Sequence, residues 1–277
     1  MKTLKDWRWL APAVVVLLVV TAWPIGRGVW LSLHTQPLTD PGGRSFVGID
    51  NYTDVLTSRT WWLAVALSLL IIVFVVSIQL LLGFAFAVAL RRMTLVWPVS
   101  RIFLLVPFAL LAVVSAVMWR DAVTTGYLDS WFRLGGDVGQ PGSLLAVTLG
   151  EVWRGTGLVS VILLAGLGRV SPSLLASSIA DGATGWQRFR RVILPVMGPA
   201  FAVAATYRAL DTFRILEGPL LTDRAGSSMR TAPLLIWRTT FSSFELGLGA
   251  AMSIILLVIA AVLGVVLVQL FRVRRVV

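Results

Sequence analysis

Apolar residues come in six long runs separated by short polar segments, at approximately residues 9–33, 61–90, 97–119, 144–167, 195–213 and 247–270. About 20 helical residues cross a hydrocarbon core of about 30 Å, so each run is long enough to span a bilayer. The runs are continuous rather than alternating, which excludes the strands of a membrane β-barrel. The fifth is the weakest, being short and closing on Arg208 and Asp211. This pattern predicts an all-α integral membrane protein with six transmembrane helices, in a single transmembrane domain over residues 1–277. The segments 34–60 and 120–142 are rich in Gly, Pro, Asp and Thr and are too short for separate domains. The segment 214–246 is the longest connection and mixes charges of both signs.

Composition narrows the chemistry. The 277 residues are 57% apolar and 13% charged, with a mean hydropathy of +0.88. Soluble domains are about 25% charged and 45–50% apolar, so a water-soluble enzyme is excluded, as is a disordered chain. There are no cysteines, which removes disulfides and thiolate sites. His34 is the single histidine, so no multi-histidine metal site can form. A membrane-embedded enzyme would need a nucleophile with a base, or a metal cluster, and neither is offered. Lysine occurs only at Lys2 and Lys5. The phosphate-binding G-x-x-x-x-G-K-[ST] loop needs an internal lysine, so this chain carries no such ATP site.

Charge placement gives orientation. One set of connecting segments holds Lys2, Lys5, Arg8, Arg91, Arg92, Arg101, Arg169, Arg188, Arg190, Arg191, Arg272, Arg274 and Arg275, opposed only by Asp6 and Asp181. The other basic and acidic residues balance, so the net charge of +11 lies on alternate segments. The positive-inside rule then predicts that both termini are cytoplasmic. The arginines flank spans instead of forming one patch, so nucleic-acid binding is not expected. The N-terminus imitates a signal peptide, but its apolar run continues to Leu33 with no small-x-small site near its end, and it reads as a retained first span. Trp7, Trp9, Trp30, Trp61, Trp62, Trp97 and Trp119 fall at span ends, where amphipathic rings are most comfortable.

The segment 171–195 departs from an ordinary loop. Ser173 is a candidate N-cap, followed at helical spacing by Leu174, Leu175, Ser178 and Ile179. Gly182 would end or bend that helix, a second turn would carry Trp186 and Phe189, and Pro195 would open the fifth span. Two readings fit: a helical hairpin on the membrane surface with basic residues on lipid phosphates, or an element that docks on another protein.

The segment resembles the EAA loop of ABC-importer permeases, whose pattern is E-A-A, three residues, G, nine residues, I-x-L-P. Gly182 fits, Val192 stands for Ile in register, and Leu194-Pro195 closes the pattern. Asp181-Gly182-Ala183 has the form typical of the carbohydrate branch. Ala176-Ser177-Ser178 stands where the family has Glu-Ala-Ala, and there the Glu helps anchor the loop on the ATPase subunit. Trp23-Pro24-Ile25-Gly26, Phe46-Val47-Gly48-Ile49-Asp50-Asn51-Tyr52, Asp211-Thr212-Phe213-Arg214 and Gly247-Leu248-Gly249-Ala250-Ala251-Met252-Ser253 also resemble sugar permeases of the maltose/trehalose importer family.

The resemblance implies a type I ABC-importer permease fold with a cytoplasmic coupling helix, in a bacterial inner membrane. It implies as partners a second permease subunit, a dimer of ATPase subunits, an extracytoplasmic sugar-binding protein, such as a lipoprotein, and membrane lipid. ATP and Mg would bind the ATPase partners, so the chain is no enzyme and holds no cofactor. The substrate implied is a disaccharide such as trehalose. Asp181, Gly182, Ala183, Trp186, Phe189, Leu194 and Pro195 would couple the chain to the ATPase, although Trp186 and Phe189 could instead pack on their own spans.

Substrate contacts are sought among polar groups at membrane depth. Glu151 and Arg154 are three apart beside Trp153, and Arg208 and Asp211 are three apart, which puts each pair on one helix face. These pairs would bond sugar hydroxyls or neutralise each other, and Gln79 would face the cavity or bond another helix. Two alternatives stand beside a sugar importer: an ABC permease for another small solute, and an ion-gradient-driven carrier. The latter would want a paired inverted repeat and broken helices around a midplane site, and the sequence displays neither.

Overall fold

The computed structural model describes residues 7–37, 43–92, 97–124, 140–222 and 230–270. The two terminal flanks that carry the orientation argument, and much of the segment 120–142, lie outside them. In chain order the elements are α1 (Trp7–Ser32), β1 (His34–Thr35), β2 (Ser45–Phe46), α2 (Asp50–Thr57), α3 (Arg59–Arg92), α4 (Trp97–Ala109), α5 (Ala112–Thr124) and α6 (Gln140–Leu167). There follow α7 (Pro172–Ala180), α8 (Gly185–Arg188), a π-turn (Phe189–Ile193), α9 (Leu194–Phe213), α10 (Glu217–Thr222), α11 (Ala232–Trp237), a second π-turn (Arg238–Ser242) and α12 (Leu246–Leu270).

Among the described residues, five helical stretches are long and apolar enough to cross a membrane: Val14–Ser32, Arg59–Arg91, Leu144–Leu167, Gly185–Phe213 and Leu246–Leu270. A sixth crossing exists only if Ile102–Ala109 and Ala112–Val123 are counted together, because they meet at 91°. The run 97–119 is therefore not one straight helix. Pro107 withholds the N–H that would close on the Phe103 carbonyl. Both halves also press on α6, where a Cβ on Gly157 would overlap the Leu104 carbonyl and one on Gly150 would lie 3.3 Å from Trp119. Small residues at such crossings let helices approach closely inside a bilayer.

The chain divides into two compact units, Met1–Ala64 with Ala232–Ile259, and Val65–Thr231 with Ala260–Val277. In the first, α1 leads into the antiparallel β1–β2 pair. Asn51 at the start of α2 is buried and donates to the carbonyls of Ser32 and His34 at 2.8 and 3.1 Å. Tyr52 joins the Ser32 hydroxyl at 2.6 Å. The entry to α12 is clipped to the residue just after β1, with Leu246 N–H donating to the Gln36 carbonyl at 3.1 Å. This is the structural use of the Asn51-Tyr52 and Gly247 pieces of sequence. Residues 14–20 of α1 are exposed throughout.

The second unit holds a core of Ala87, Leu90, Val159, Leu163, Leu164, Leu167, Val170, Met197 and Ala204, drawn from α3, α6, α9 and the joint between α6 and α7. Leu175 and Ile193, from either arm of the 171–195 segment, pack on that core. The segment is thus seated on the helices that cross the membrane.

Candidate functional site

The 171–195 segment is a helix-turn-helix with each joint fixed by a named bond. Ser171, and not Ser173, is the N-cap of α7: its side chain accepts from Leu174 N–H at 3.2 Å, and Pro172 follows at the first helical position. Ser171-Pro172 is itself a legible start signal, since proline fits where the N–H has no partner anyway. The helix ends with Gly182 at φ +74°, where Gly182 N–H donates to the Ile179 carbonyl at 2.9 Å and Ala183 N–H to the Ser178 carbonyl at 3.0 Å. That is a Schellman ending, and the left-handed residue it needs is supplied by glycine.

The second arm begins with a capping box. Gln187 N–H donates to Thr184 Oγ1 at 3.3 Å, and Thr184 N–H donates to Gln187 Oε1 at 2.8 Å. Thr-x-x-Gln at this spacing could have been read from the sequence. Pro195 stands in the first turn of α9, as expected, although helical backbone leads into it from Gly185 without a break. The π-turn comes just before it, with Leu194 N–H reaching the Phe189 carbonyl. A wide turn is a recognised way to accommodate local disruption of the helical ladder.

The candidate coupling residues divide by exposure. Asp181 and Gly182 form the exposed tip, with Ala183 half-buried beside them. Trp186 is 67% exposed and Ile179 57%, which leaves large apolar groups in the open on both arms. Phe189 is half-buried: its ring lies 5.4 Å from Phe84 of α3 and 5.6 Å from Trp186. Leu194 and Pro195 are exposed on the outgoing helix.

The polar groups singled out on the apolar helices form one network rather than two separate pairs. Arg208 is fully buried and donates to Gln79 Oε1 and to Glu151 Oε2, each at 3.0 Å, and to Asp211. Arg154 forks onto both Glu151 oxygens at 3.1 Å and reaches Asp211 at 3.4 Å. Gln79, also fully buried, donates to the Glu151 backbone carbonyl at 2.6 Å. Arg214, 80% exposed, closes the rim onto Asp211 at 3.2 Å. The network ties α3, α6 and α9 together. Gly155 makes room for it, since a Cβ there would strike Gln79 and Arg208. Trp153 stands apart, half-buried, with its ring 6.3 Å from Trp119. Among the described residues no cluster of His, Cys, Asp and Glu could hold a metal ion.

No family model matches the chain. It is 35% identical over 266 residues to the trehalose transport system permease protein SugA of Mycobacterium tuberculosis, covering 95% of this chain and 87% of that protein. It is 28% identical over 275 residues to the trehalose/maltose transport system permease protein MalF of Thermococcus litoralis, covering 96% and 93%. Its fold matches the solved structure of a bacterial ABC transporter involved in the import of the acidic polysaccharide alginate, with a TM-score of 0.76 at 17% identity over 98% of this chain and 97% of that one. The all-helical architecture and the extent of these matches agree: the chain belongs to the permease family of carbohydrate ABC importers, as a membrane subunit without ATPase activity of its own.

Proposed function

We propose that this permease subunit imports a disaccharide, with trehalose the first candidate. It is read as one transmembrane domain over residues 1–277 that forms half of a translocation pathway. A second permease subunit supplies the other half. A dimer of ATPase subunits binds ATP and Mg, and an extracytoplasmic sugar-binding protein delivers substrate. The observation that carries the substrate assignment is the 35% identity to a trehalose permease along 95% of this chain. Cytoplasmic termini in the inner membrane are supported by the basic residues on alternate connections.

In this reading the turn at Asp181, Gly182 and Ala183 couples the chain to an ATPase subunit. Trp186 supplies apolar contact, Phe189 anchors the arm on α3, and Leu194 and Pro195 carry its motion into α9. Rigid caps at Ser171 and Thr184 support this role, because a docking element transmits motion only if its own shape is held. For the polar cluster, full enclosure of Gln79 and Arg208 favours an ion network that braces the pathway. Trp153 and Arg154, at more open positions beside it, are the better candidates for sugar contact, with Glu151 and Asp211 holding Arg154.

The test is co-purification of the tagged chain in mild detergent with every subunit identified by mass, followed by uptake of labelled trehalose, maltose and unrelated sugars into reconstituted vesicles. The expected result is an ATPase and a second permease in the complex, and ATP-dependent uptake of trehalose in preference to the others. A homo-oligomer under conditions that preserve other importers would replace this reading with a gradient-driven carrier.

A further inference from the structure

Arg91 lies near the end of α3, where the positive-inside rule alone accounts for a cation. Its geometry is more specific than that rule requires. Nη1 donates to the Leu167 carbonyl at 3.1 Å and Nη2 to the Val170 carbonyl at 3.4 Å. Leu167 is the last residue of α6, and Ser171, just beyond Val170, is the N-cap of α7. Between them Gly168, Arg169 and Val170 form the joint, closed by short turns such as Val170 N–H to the Leu167 carbonyl at 3.1 Å. One guanidinium therefore spans the joint, from the last residue of α6 to the residue before the N-cap of α7. Leu167 and Val170 are 2% and 1% exposed, so the bonded backbone is anchored in the core. The other arm is tied to the same stretch of α3 through Phe84 and Phe189.

We propose that Arg91 is a positioning residue for coupling: its fork sets the angle at which α7 leaves α6, so that a push on the Asp181–Gly182 turn moves α6 and α3 as one body. This rests on the coupling reading given above. A planar guanidinium presents two donors in fixed geometry, whereas a lysine ammonium is a single flexible point. Arg91→Lys keeps the inner positive charge and loses the two-carbonyl grip. Arg169→Lys, the same exchange at an exposed arginine within the joint, serves as the control.

The experiment uses the full complex in vesicles with the sugar-binding protein and labelled trehalose, and reads subunit composition, ATP hydrolysis and sugar taken up per ATP. The expected result is that both variants assemble, that Arg91→Lys lowers sugar per ATP roughly 3- to 10-fold, and that Arg169→Lys matches the parent. Hydrogen exchange across residues 168–175 of the assembled complex should rise in Arg91→Lys alone. Assembly of Arg91→Lys with parental transport and exchange overturns the proposal while leaving the importer reading intact. Failure of the parent chain to assemble with any ATPase overturns both.

Discussion

Glycine at position 182 is required for conformation and not for space. Its φ of +74° lies in the left-handed region, yet nothing lies within 4 Å of where a Cβ would stand. A side chain there costs about 1–2 kcal/mol in backbone strain, and asparagine tolerates the region better than alanine. Gly182→Arg adds bulk at the tip of the turn to the same strain, and is expected to leave insertion intact while lowering sugar uptake per ATP hydrolysed. Normal uptake by that variant would remove the turn from the coupling path. Arg208 is a contrasting case, where burial decides. Arg208→Met leaves Glu151 and Asp211 with one cation fewer between them, and losing one partner of a buried ion network costs about 3–5 kcal/mol. A clear fall in the melting temperature of the detergent-purified complex is expected. The two i, i+3 pairs were legible as pairs. Their union was not, because it depends on how α6 and α9 face each other and on Gly155 leaving room for Gln79 and Arg208.

Elements show the same division between what local sequence carries and what packing imposes. Gly182 as a terminator and a helical turn bearing Trp186 and Phe189 could be read directly, since turn chemistry is local. The capping box at Thr184 and Gln187 was legible in principle, and Thr184→Ala should cost about 1 kcal/mol. Faster hydrogen exchange over residues 185–190, with the preceding helix unchanged, is the measurement. The 91° break in the third apolar run was hidden, because hydropathy reports what is buried or in lipid and is blind to direction. The approach of Gly157 to the Leu104 carbonyl belongs to that break. Gly157→Ala forces α4 away from α6 and is expected to lower thermal stability. Proteolysis near Leu110 and Leu111 should increase with it.

At the scale of the whole molecule, hydropathy predicted an all-helical membrane protein, and five long apolar helices plus a bent pair meet that description. Sidedness came from charge alone, and the chain's lack of cysteine makes it directly measurable. Thr53→Cys and Ser177→Cys each place one thiol at an exposed position. A membrane-impermeant maleimide should label the first in intact cells and the second only after the membrane is opened. The reverse pattern would invert the orientation. The polar cluster carries a last consequence. In its enclosed part Arg154 and Arg208 are matched by Glu151 and Asp211, while Arg214 adds a third cation only at the exposed rim. Carrying one unmatched elementary charge across a membrane costs or releases about 2.3 kcal/mol per 100 mV. Helices that shift with the enclosed pairs between them are expected to carry no such burden from those four groups.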